Sequence, residues 1–88
     1  MAWTIELSAR AKKELTNIPH DQQALIEGAF ERMKENPFFG KVTPLKGKEW
    51  KGVYRRTVGR WRLFILPHYS ERVAHIITIR LRNEKTYR

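Results

Sequence analysis

A chain of 88 residues, 41% hydrophobic and with ten aromatics, has material for one modest core and is too short for two, so residues 1–88 are read as a single domain. Cysteine is absent, which excludes disulfide frameworks and cysteine-ligated metals. The net charge of +9 is segregated: residues 1–44 carry six Lys/Arg against six Asp/Glu, and residues 45–88 carry twelve against three, which favours a polyanionic partner for the second half.

The N-terminal residues Met1-Ala2-Trp3-Thr4-Ile5-Glu6 lack the basic start and long apolar stretch of a secretory leader. The longest apolar run, Leu63 to Pro67, is far below the ~20 residues of a membrane span, so the expectation is a soluble, cytoplasmic protein. Trp3 to Leu7 alternates apolar and polar residues and predicts a short strand. Ser8 offers a helix cap, and Ala11, Leu15 and Ile18 recur at helical spacing until Pro19. A second helix is expected with Asp21 as its cap, Leu25, Ile26, Ala29, Phe30 and Met33 as its apolar stripe, and Asn36-Pro37 as its stop.

From Pro37 to Lys51 no period is sustained, which predicts a loop with Phe38-Phe39 tucked onto the core. Three strands are predicted next, at Gly52–Val58, Arg60–Pro67 and Arg72–Leu81, and connections this short make them antiparallel. On the last, strict alternation gives Val73, His75, Ile77 and Ile79 one face, and Ala74, Ile76, Thr78, Arg80 and Arg82 the other. The predicted architecture is α+β in two layers, β-α-α-β-β-β, with a helix pair on one face of a mostly antiparallel four-stranded sheet. The first strand is expected at an edge or beside the last strand.

Three stretches of the second half then stand out: Leu45-Lys46-Gly47, Tyr54-Arg55-Arg56-Thr57-Val58-Gly59-Arg60-Trp61-Arg62-Leu63-Phe64, and Ile77-Thr78-Ile79-Arg80-Leu81-Arg82 with Tyr87 five positions on. In order and spacing they resemble the RelE/ParE superfamily of bacterial and archaeal toxins. The resemblance implies a toxin of a type II toxin–antitoxin system. Its RelE-like branch consists of ribosome-dependent mRNA endoribonucleases (mRNA interferases) that act in the A site and inhibit translation; its ParE-like branch poisons DNA gyrase. A third reading is a noncatalytic RNA- or ribosome-binding module.

Residue by residue, Arg62, Arg82 and Tyr87 fall where the nuclease branch has a hairpin arginine, an arginine closing the last strand and a C-terminal tyrosine, so these three are the candidate catalytic residues. Arg55 and Thr57 stand where the best-known nuclease members have two lysines; Lys46, Lys48, Lys51 and Arg56 are the possible substitutes, and with Arg55 and Arg80 they form the candidate RNA-binding set. The chemistry implied is attack of a 2′-hydroxyl on the adjacent phosphate without a metal. A guanidinium offers phosphate oxygens a fixed fork of donors, and one well-aimed donor supplies ~3 kcal/mol at a transition state. Tyr87 can stack on a splayed base, or serve as the proton acceptor if neighbouring cations lower its pKa from ~10. Arg80 and Arg82 read alternatively as edge-strand charges that deter aggregation. His20, His68 and His75 are scattered without metal-binding spacing, so no metal and no cofactor are expected. The implied partners are mRNA, the ribosome (16S rRNA, A site) and a cognate acidic antitoxin that folds on this basic surface.

Overall fold

The computed structural model describes residues 2–82 and contains β1 (Thr4–Leu7), α1 (Ala9–Thr16), α2 (His20–Met33), β2 (Val42–Pro44), a 3-10 turn (Lys48–Trp50), β3 (Tyr54–Val58), β4 (Trp61–His68) and β5 (Val73–Leu81). Ser8 caps α1: its Oγ accepts from the Ala11 N–H at 3.0 Å and donates to the Ile77 carbonyl at 2.6 Å, tying the helix start to the last strand. The N-cap of α2 is Pro19 and not Asp21, because the Pro19 carbonyl already accepts from Gln22 and Gln23 at 2.9 and 2.8 Å. Asp21 instead lies in the first turn, where the helix dipole favours a carboxylate. The Gln23 side chain clamps the corner between the helices by donating to the carbonyls of Leu15 and Ile18.

The sheet has five strands in the order β1-β5-β4-β3-β2, parallel between β1 and β5 and antiparallel elsewhere. The fifth strand, β2, comes from the stretch expected to be a loop; three residues are too few to display a period, and Pro44 is tolerated because β2 is an edge. β1 is both at an edge and beside the last strand. β1 covers β5 only from Val73 to Ile76, so Arg80 lies on the stretch of β5 that β4 alone pairs, and Arg82 lies just past the end of β5.

A bulge corrects the expected faces of β5. Ile65 pairs with Ile76 while Phe64 pairs with Thr78, which leaves Ile77 as the extra residue. Ala74, Ile76 and Ile79 therefore all face the helices, whereas strict alternation puts Ile79 on the face opposite Ala74 and Ile76. The bulge is held from α1, where the Glu14 carboxylate accepts from the Ile79 N–H at 2.8 Å and from Thr78 Oγ1 at 2.8 and 2.9 Å.

Ala11, Ile18, Ile26, Phe30 and Met33 from the helical layer pack on Leu63, Ile65, Ala74, Ile76 and Ile79 of the sheet. Leu25, expected in the α2 stripe, is 59% exposed. Trp61 packs against the core and donates from Nε1 to Gln22 at 2.7 Å. On the opposite, outer face, Phe64 is fully buried beneath Trp50 of the 3-10 turn, with ring centroids 5.1 Å apart. Among the described residues no helix is long and apolar enough to cross a membrane.

Candidate nucleic-acid interface

Strand register places the arginines. Arg62 on β4 lies opposite Thr57 on β3 and Arg80 on β5, and Arg55 lies opposite Thr43 on β2. Arg82 follows Arg80 on the same side, and its N–H donates to the Arg60 carbonyl at 2.7 Å, which holds the chain beside the β3–β4 turn just past the end of β5. That turn is two residues long, and Gly59 at φ +59° supplies the left-handed first position that returns β4 along β3. The bulge matters here because it puts Ile79 on the core face with Ala74 and Ile76, and so leaves Arg80, its neighbour, on the outer face.

Arg55, Arg62 and Arg82 border a cleft of ≈ 520 Å³ together with Lys41, Thr43 and Thr57, and among the described residues no carboxylate lines it. The Arg62 guanidinium lies below the usual arginine range, first through burial and then through the neighbouring charges of Arg55 and Arg82. Cations crowded in this way are stabilised by an anion, and arginine forks flanked by threonine hydroxyls match the oxygens of a phosphate.

The other candidates are placed differently. Arg80 leans over the Phe64 ring, 5.5 Å from its centroid, next to the cleft and not in its lining. Arg56 borders the cleft but is only 4% exposed, and its Nη2 donates to the carbonyls of Pro37, at 2.8 Å, and of Phe39. Lys46, Lys48 and Lys51 are exposed on the β2–β3 connection and do not line the cleft. Tyr87 lies outside the described residues. Lys41 and Thr43 line the cleft without having been singled out in the sequence; the one available signal was the alternation of Val42, Thr43 and Pro44, too short to read.

Fold and cleft together define a small α+β domain whose sheet carries a cleft lined by cations and, among the described residues, by no carboxylate. The sequence model of the ParE toxin of type II toxin–antitoxin systems matches residues 5–86, and the chain belongs to this family, within the RelE/ParE superfamily of toxins. No curated protein matches the sequence. The fold is similar to that of an archaeal RelE–RelB complex from Pyrococcus horikoshii OT3, at 18% identity over 96% of this chain and 99% of that one, with a TM-score of 0.81. It is also similar to the RelBE2 toxin–antitoxin complex of Mycobacterium tuberculosis (20% identity, 93% and 100% covered, TM-score 0.79). A YoeB/ParE toxin from Agrobacterium tumefaciens is similar at 19% identity, with 89% and 96% covered and a TM-score of 0.74.

Proposed function

We propose that this toxin is a ribosome-dependent mRNA endoribonuclease that cuts in the A site, beside 16S rRNA, and so inhibits translation. The observation that carries the reading is the convergence of Arg62, from β4, and Arg82, from just past β5, on one cleft with Arg55. The reaction joins the 2′-oxygen to phosphorus as the bond to the 5′-oxygen breaks; a base takes the 2′-hydroxyl proton and the leaving oxygen gains one. Arg62 and Arg82 donate to the non-bridging oxygens, where negative charge grows. Tyr87 stacks on the exposed base or takes the proton.

A primer-extension assay on mRNA translated by programmed ribosomes tests this. Arg62→Ala and Arg82→Ala are each expected to lower the cleavage rate by roughly 10²–10³ while leaving the fold intact, as removal of one aimed donor does elsewhere. Tyr87→Phe is expected to abolish cleavage if the ring is the base and to spare it if the ring only stacks. Uncut mRNA with the wild-type protein overturns the nuclease.

The match to the ParE model, and Arg55 and Thr57 in place of two lysines, favour the second reading, a DNA gyrase poison. That reading requires DNA breaks in expressing cells. RNA affinity without cleavage or growth arrest would leave a noncatalytic ribosome-binding module. In each toxin reading the partner is an acidic antitoxin in the cytoplasm, since a disordered acidic segment neutralises a +9 chain as it folds on it.

A further inference from the structure

The segment from Pro37 to Lys41, between α2 and β2, is pinned more firmly than a surface connection requires. Pro37 is buried, and Arg56 reaches across from β3 to donate to the Pro37 and Phe39 carbonyls. The Phe39 ring has two guanidinium contacts, with Arg56 3.9 Å and Arg32 4.3 Å from its centroid. Gly40 then adopts φ +64°, and the next residue, Lys41, lines the cleft with Arg62 and Arg82. A Cβ at Gly40 would come no closer than 3.7 Å to Arg56 Nη1, so the backbone conformation, not lack of space, calls for glycine there.

Arg56 is an expensive way to fasten a loop. It is a cation at 4% exposure whose Nε–H finds no hydrogen-bond partner among the described residues. Its pKa is lowered by burial first and by Arg32 second, and its bonds go to neutral carbonyls. An apolar side chain would pack there without the desolvation cost. What the clamp secures is the course of the chain into Lys41, the one charged residue of the pinned segment. A lysine ammonium is a mobile point charge, suited to a backbone phosphate beside the one held by the arginine forks.

We infer that Lys41 contacts an RNA phosphate in this cleft and that Arg56 is the positioning residue that delivers it. The inference rests on RNA as the ligand of the proposed function, but not on cleavage. The test is fluorescence anisotropy of a short single-stranded RNA, 2′-O-methylated so that it cannot be cut, bound to the full-length toxin across a salt series. Lys41→Gln is expected to flatten the plot of log affinity against log salt by about 0.7, the share of one single-strand phosphate contact, with an unchanged melting curve. Arg56→Lys keeps the charge but loses both the fork and the stacking, and should flatten the slope as much. The double variant should be no worse than either single one. If Arg56→Lys does not fold, Phe39→Leu loosens the same clamp from the ring side and should give the same slope change.

An unchanged slope in Lys41→Gln overturns the phosphate contact. A lower melting temperature with an unchanged slope in Arg56→Lys or Phe39→Leu reduces the clamp to a structural one and overturns the positioning role. If the slope flattens as expected while wild-type toxin leaves ribosome-bound mRNA uncut, the nuclease proposal fails and this one stands. If mRNA is cut and Lys41→Gln binds with the wild-type slope, this one fails alone.

Discussion

Glu14 shows how much one side chain can join. From α1 it accepts from the Ile79 N–H and from Thr78 Oγ1 on β5, and it faces Arg10 Nε at 3.2 Å. The Ile79 N–H and the Thr78 hydroxyl both lose their carboxylate acceptor when Glu14 is truncated. Glu14→Ala is therefore expected to cost about 1–3 kcal/mol in urea unfolding, and Glu14→Gln, which keeps an acceptor, clearly less. None of this was legible in the sequence, because Thr78 is 64 residues away and only the fold makes it a neighbour. Local roles were legible: Ser8 as a cap needs only the three residues that follow it. Arg56 was misleading in the opposite sense. It reads as one more surface cation among many, and its burial depends on Pro37 and Phe39, which come from a different element.

At the scale of elements, the order and the antiparallel run of β3, β4 and β5 were legible, the parallel pairing of β1 was not, and the exceptions have physical causes. Alternation identifies a strand but cannot see a bulge between two isoleucines, since Ile76 and Ile77 look alike from either face. β2 was missed because three residues ending in proline carry no period, and with it went two cleft residues, Lys41 and Thr43. The β3–β4 hairpin was read correctly because Gly59 marks it. That glycine also gives the hairpin a weak point. At φ +59° a side chain costs about 1 kcal/mol, and a Cβ there would meet Leu25 Cδ1 only at 3.9 Å, an ordinary contact. Gly59→Ala is accordingly expected to lower the melting temperature by about 4–8 °C, the usual response of a domain this size to a loss of that order, as calorimetry would show.

In the whole molecule, β5 joins the parts. It lies between β1 and β4, supplies Ala74, Ile76 and Ile79 to the core, and brings Arg82 to Arg62. A chain ending at Arg72 would keep both helices and the β3–β4 hairpin but would leave β1 without its neighbour and the helices facing half a sheet. It is expected to show no cooperative melting transition by circular dichroism. β5 is also the last of the described strands to be synthesised, and Thr4 on β1 must wait for Val73 before it can pair. A nascent chain therefore cannot assemble the cleft until β5 has emerged, however early its helices form, so the cationic site arises late and all at once.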